Sequence, residues 1–165
     1  MKRKSTLFTC LLLATASILA QPYPQDDFIP PLDVPLKLSG TFGELRSNHF
    51  HSGIDLKTGE MEGLKAYAIA DGYVSRIKVQ SGGYGKALYI THPNGYVSVY
   101  AHLRNYNSIL DDYVTRAQYD RQSYEIDVYP SRDLFPVKQG EVIAFTGNSG
   151  RSGGPHLHFE IREAS

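Results

Sequence analysis

Along most of this chain, apolar and polar residues alternate with the period of a β-strand. Tyr73, Ser75, Ile77 and Val79 alternate with Val74, Arg76, Lys78 and Gln80, which predicts a strand with one polar face, and residues 81–85 read as a glycine-rich turn. Two further strands are predicted over 86–92 and 96–102. They are joined by Pro93-Asn94-Gly95, whose Asn-Gly step favours the positive φ angles of a tight hairpin, so the sheet is antiparallel here. Strand pattern resumes at 142–146 and 156–162, with a glycine-rich loop over 147–155 between them. One stretch reads as a helix. Between 107 and 122, Leu110, Tyr113, Val114 and Ala117 recur at helical spacing, with Asn107 or Ser108 available as N-cap.

The helix interrupts the strand pattern, and a tyrosine-rich segment and Pro130 follow it. Residues 104–136 are therefore expected to form an insertion folded against the sheet, with Tyr106, Tyr113, Tyr119, Tyr124 and Tyr129 packed on it. Residues 21–35 hold five prolines and follow neither period, the mark of an extended leader, taken here as 21–37. The domain proper is expected over 38–163.

The first twenty residues change the picture. Lys2, Arg3 and Lys4, an apolar run from Leu7 to Leu13 and small residues through Ala20 have the three-part layout of a secretory signal. Thr9, Thr15 and Ser17 break the apolar run below the ~20 residues of a spanning helix, so no stable membrane insertion is expected after cleavage. Cleavage after Ala20 removes three of the 17 basic residues and none of the 17 acidic ones, leaving a net charge of −3. That balance argues against a nucleic-acid partner. About 145 residues remain, enough for one domain. The only cysteine, Cys10, lies in the signal, so a metal site in the secreted chain must use nitrogen and oxygen ligands. The sequence carries no signal of oligomeric state.

Such ligands are present. His51 and Asp55 stand four apart around Gly53, which argues for a loop or bulge over a helix. His156 and His158 stand two apart on a predicted strand and project to one face, while Leu157, Phe159 and Ile161 project into the core. His102 ends the strand that carries Tyr96, Ser98 and Tyr100. Together these are the inventory of a hydrolytic zinc site, because zinc takes imidazole and carboxylate and a catalytic site stops at three protein ligands. Spacing alone does not decide whether His156 and His158 both bind metal or divide into ligand and proton handler.

His51-Ser52-Gly53-Ile54-Asp55, Tyr100-Ala101-His102-Leu103 and the run from Gly147 to Glu160 that contains His156-Leu157-His158 closely resemble the signature blocks of the lysostaphin/LytM family of zinc endopeptidases. The resemblance runs in order from about residue 40 to 162 and includes the turns Ala70-Asp71-Gly72-Tyr73-Val74 and Val137-Lys138-Gln139-Gly140-Glu141. It implies an antiparallel β-sheet or sandwich of the duplicated-hybrid-motif type, mainly β, with a short helical insertion. It also implies one zinc ion held by His51, Asp55 and His158, catalytic roles for His102 and His156, and peptidoglycan stem peptides as substrate in the periplasm or cell envelope. No wall-targeting domain accompanies the chain, which leans the substrate towards direct D-alanyl cross-links. A family domain would continue for some residues beyond Glu163.

Two rival readings follow from the same residues. Relatives that have lost ligands act as non-catalytic wall-binding modules or amidase activators, but every position is filled here. A structural zinc domain would close the ion with a fourth ligand, for which His49 is the candidate. His49 and His92 are otherwise expected to be structural. The loop 147–155 is expected to form one wall of an open substrate groove and the insertion 104–136 another.

Overall fold

The computed structural model describes residues 27–164, so the secretory signal expected over residues 1–20 lies outside the described residues. Strands β1 (Leu38–Gly40), β2 (Ile54–Lys57), β3 (Lys65–Tyr67), β4 (Gly72–Val79), β5 (Lys86–Thr91), β6 (Tyr96–Ala101) and β7 (Leu103–Tyr106) precede helix α1 (Ser108–Arg121). Strands β8 (Ile126–Val128), β9 (Pro136–Val137), β10 (Val142–Thr146) and β11 (His156–Glu163) follow it. The protein is mainly β, and among the described residues every strand pairing is antiparallel, as the alternation and the Asn-Gly hairpin predict.

The larger sheet runs in the order β1, β2, β11, β6, β5, β4, β8, with β9 also paired to β4; the smaller runs β3, β10, β7. The smaller sheet covers one face of the larger. Ala66, Leu103, Tyr106, Ile143 and Ala144 from the small sheet share one buried core with Val74, Ile77, Leu88, Ile90, Tyr100 and Leu157 from the large one. Each large apolar side chain so buried contributes roughly 1.5–3 kcal/mol. Tyrosine hydroxyls bind across the core: Tyr100 accepts the Ile69 N–H at 3.1 Å, and Tyr106 donates to the Lys78 carbonyl at 3.1 Å.

Four features depart from the sequence expectation. A bulge between Val74 and Arg76 shifts the phase of β4, so Val74 joins Ile77 and Val79 on the buried face and Tyr73 and Ser75 do not. Ile161 is 44% exposed, because β2 pairs with β11 only as far as Phe159 and leaves the end of β11 uncovered on that side. Residues 104–106 belong to β7 and pair with β10, so the expected insertion begins with a strand of the smaller sheet. Of its five tyrosines Tyr106 is buried and Tyr113 packs on Phe135, whereas Tyr119, Tyr124 and Tyr129 are exposed.

The helix itself forms where its pattern predicts. Asn107 caps it, its side-chain oxygen accepting the Leu110 N–H at 3.1 Å, and Gln122 ends it in the left-handed conformation. Leu110 and Val114 anchor its buried face. Ahead of β1 the chain lies extended across β3, with Leu32 only 3% exposed and bridged to Ala66.

This topology places β2, β11 and β6 side by side. Their register sets Asp55 opposite His158 and His158 opposite Ala101. Residues level with one another on adjacent strands share a face, so the carboxylate and the imidazole meet on the face turned away from the core.

Candidate metal centre

Asp55 reaches the site from β2 and His158 from β11, with Leu157 and Phe159 buried on the opposite face. His51 enters from a turn over residues 43–51, held by Gly43 N–H to the His51 carbonyl at 2.8 Å and His51 N–H to the Glu44 carbonyl at 2.8 Å. Gly53 lets this segment lie against β11, since a Cβ there would collide with the Phe159 carbonyl and the Glu160 side chain. The first motif is thus a loop entering a strand.

Three acceptor atoms converge where these elements meet. His51 Nε2 lies 2.9 Å from His158 Nδ1, and both lie 3.0 Å from Asp55 Oδ1. The outer nitrogens fix the tautomers. His51 Nδ1 donates to the Thr41 carbonyl at 2.8 Å, and His158 Nε2 donates to Glu160 Oε1 at 2.8 Å, so the inner nitrogens carry lone pairs. Three lone-pair atoms facing one another are mutually repulsive unless a cation lies between them. Zinc bound at about 2 Å to each is accommodated by such a triangle. The set is compatible with a single metal site, and its donor atoms, imidazole and carboxylate, are those zinc takes.

The surrounding residues hold the converging side chains in place. Glu160, 3% exposed, also accepts from Tyr84, from Ser52 at 3.0 Å and from Arg162. Asp55 Oδ2 accepts from Arg46 Nη2 at 2.8 Å, which leaves Oδ1 for the centre. Period-2 alternation places Glu160 on the face of His156 and His158, so its position was readable; Arg46 and Tyr84 carry no comparable signal.

His102 and His156 complete the cluster, with ring centroids 4.7 Å apart. His102 Nδ1 donates to the Ser149 carbonyl at 2.8 Å, and His156 Nδ1 donates to the Gly154 carbonyl at 2.8 Å, which leaves each Nε2 free. His156 Nε2 is 3.4 Å from Asp55 Oδ1, farther than the three converging donors are from one another. His102 does not continue the alternation of β6. It sits between β6 and β7 with φ of 58°, a conformation rare for a residue with a side chain, while Ser98 and Tyr100 are buried.

Electrostatics follow the same geometry. Burial pushes His102 down to about 4, outweighing the Ser149 carbonyl. Burial opposes ionisation of Asp55, yet the imidazoles of His156 and His158 beside it, which bond and attract the carboxylate when protonated, hold its carboxyl well below the usual range. Burial likewise opposes charge on His156 and His158, but Asp55 raises both, with Gly154 assisting the first and Glu160 the second. Glu160 falls to about 2 because the bonds from His158, Arg162 and Tyr84 outweigh its burial. The pocket favours a positive charge at its centre.

A cleft of about 340 Å³ opens onto these residues, walled by residues 46–49 on one side and by Arg151, Ser152 and Gly153 on the other. The insertion contributes none of its lining, because α1 packs beside β7 and β8, away from the centre; the second wall is the turn that carries Arg46. His49 is exposed and bonds Asn48 at 2.7 Å, outside the converging set. His92 is buried between the Asp71 carbonyl at 2.9 Å and the Ser98 hydroxyl at 2.8 Å, a structural placement.

The family model for peptidase family M23 matches residues 49–119 and 133–165. The chain belongs to peptidase family M23. The unmatched stretch of this M23 chain, 120–132, is shorter than the insertion expected over 104–136 and covers the end of α1 and β8. A relative from Neisseria meningitidis serogroup B named DD-carboxypeptidase/endopeptidase Mpg is 36% identical over 139 residues, 81% of this chain and 26% of the relative. The M23 chain thus spans only a minor part of the curated relatives it matches. A zinc containing peptidase from Vibrio cholerae is 25% identical with a TM-score of 0.58, covering 81% of this chain and 35% of that one. The catalytic domain of the prophage-encoded M23 protein EnpA from Enterococcus faecalis shares the fold at 23% identity and a TM-score of 0.60, over 84% of this chain and 88% of that one.

Proposed function

We propose that this chain is a zinc-dependent endopeptidase that hydrolyses peptide cross-links in bacterial peptidoglycan. The observation that carries the reading is the convergence of His51 Nε2, Asp55 Oδ1 and His158 Nδ1 beside two further imidazoles in an open cleft. Three protein ligands leave a coordination position open, the arrangement of a hydrolytic site. The name of the Neisseria relative supports a peptidase acting on cell-wall peptides.

In this reading His51, Asp55 and His158 hold one zinc ion, which when bound supplies a Lewis acid for a peptide carbonyl and acidifies water. Glu160 and the Thr41 carbonyl orient the two ligand imidazoles, and Arg46 orients the ligand carboxylate. His102 and His156 handle protons. With each Nδ1–H tied to a backbone carbonyl, each Nε2 can take a proton from water and return it to the departing amine. No His-Glu-x-x-His arrangement exists in the sequence, so imidazole fills the role that glutamate holds there.

The proposed organisation is a secretory signal over 1–20, an extended leader over 21–37 that docks Leu32 on the domain, and the peptidase domain over 38–163. It places the enzyme in the periplasm or cell envelope. Among the described residues no helix is long and apolar enough to cross a membrane.

Digestion of cross-linked muropeptide dimers by the zinc-loaded protein, with products weighed by mass spectrometry, tests the proposal. Cleavage of direct D-alanyl cross-links, lost on chelation and restored by zinc, is the expected result. Cleavage of pentaglycine alone would overturn the choice of cross-link, and cleavage of neither with zinc bound would favour an amidase activator.

A further inference from the structure

Arg151 lines the same cleft as the three converging ligands, on an exposed position of the loop between β10 and β11. No side chain among the described residues pairs with its guanidinium. The cleft's other guanidinium is already engaged, with Arg46 Nη2 2.8 Å from Asp55 and 3.1 Å from Glu44. The carboxylates are engaged too: Asp55 faces the centre, and Glu160 is buried behind His158 with Arg162, Tyr84 and Ser52 around it. Among the described residues Arg151 is therefore the one guanidinium of the cleft without a counter-charge.

Its backbone is fixed. Arg151 N–H donates to the Gly83 carbonyl at 2.8 Å, and Gly150 and Gly85, both at positive φ, press together where neither has room for a Cβ. The Ser149 hydroxyl adds bonds to the Leu103 carbonyl at 2.7 Å and from Lys86 N–H at 2.9 Å. An unpaired cation whose backbone is held in place beside the converging imidazoles and carboxylate is available to an anion.

We propose that Arg151 binds a carboxylate of the substrate peptide and selects for peptides that carry one. The inference rests on the peptidase reading above. A planar guanidinium offers two parallel N–H donors that match the two oxygens of a carboxylate, and within a cleft such a pair is screened less than on an open surface. The carboxylate can be the α-carboxylate at the end of a peptide or one borne by a side chain along it. The test separates the two.

Three peptides with the same scissile bond are compared: one with all carboxylates free, one amidated only at its C terminus, one amidated only on its side chains. Dissociation constants are measured by calorimetry on the zinc-loaded protein in a His102→Ala background, which keeps the peptides intact, with KM measured on the active protein. One amidation is expected to weaken binding about 10-fold or more, which identifies the source. Arg151→Gln is expected to bind the free peptide as weakly as the amidated one, and Arg151→Lys to recover part of the difference through charge alone. Equal binding of all three peptides, or discrimination that survives in Arg151→Gln, overturns the assignment. Discrimination without any hydrolysis by the active protein would contradict the peptidase reading and leave Arg151 as a carboxylate-binding residue.

Discussion

His158 faces Asp55 directly across the β2–β11 ladder, with Nδ1 3.0 Å from Oδ1. The pairing makes the centre a property of strand register. A slip of one residue would set Leu157 opposite Asp55 and turn both imidazoles of β11 towards the core. The buried pairs Leu157 with Leu56 and Phe159 with Tyr100 oppose that slip, so the apolar face of the sheet positions the polar one.

His102→Ala and His156→Ala are each expected to keep zinc and to lose hydrolysis by ~10²-fold or more, the effect of removing a proton-transfer group. Zinc content and turnover on the same samples check this. Zinc loss in His156→Ala would reverse its role with His158, and full activity in both would remove the proton-handling assignment.

The carboxylate behind His158 gives a second expectation. Glu160→Gln keeps an oxygen near His158 Nε2 but removes the charge that makes the inner nitrogen a stronger ligand. Zinc affinity should fall by about 10- to 100-fold, read by competition with a chromophoric chelator. Unchanged affinity would show that Glu160 serves only the fold.

Ser149→Ala should lower kcat roughly 10-fold with zinc content unchanged, through the two hydroxyl bonds lost from the loop that anchors His102. Ser149→Thr, which keeps a hydroxyl, should recover much of the loss. A rise in KM alone would place the effect on substrate binding.

His92 supplies a pH dependence away from the centre. Burial lowers its pKa in the folded protein, outweighing the Asp71 carbonyl. The unfolded chain therefore takes up this proton first as pH falls below about 6.5, so stability present above that pH is lost as pH descends through the lower folded value. His92→Gln in the zinc-loaded protein should flatten this part of the stability profile, measured by denaturant unfolding at pH 5 to 8. Identical slopes in the two proteins would contradict the assignment.

Much of this was readable from the chain, for identifiable reasons. The hairpin at Asn94-Gly95, the helix capped by Asn107 and the paired imidazoles of β11 each follow from a local rule of turn, cap or alternation. The bulge after Val74 was not readable, because one inserted residue leaves both flanking runs alternating normally. The left-handed conformation of His102 was hidden as well, since it is imposed by contacts to Tyr84 and Ser149, distant in sequence. The loop that carries Arg151 was readable as one wall of the cleft, whereas Arg46 looked like an ordinary surface residue until the fold brought its turn to the opposite wall.

The central claim is that His51, Asp55 and His158 hold one zinc ion. Elemental analysis of the purified protein and of Asp55→Ala, after exposure to excess zinc and removal of what is loosely bound, tests it most directly. One equivalent of zinc in the parent protein and essentially none in Asp55→Ala is predicted, because two remaining protein ligands are too few to retain the ion. A full equivalent in Asp55→Ala, or none in the parent, would contradict the account.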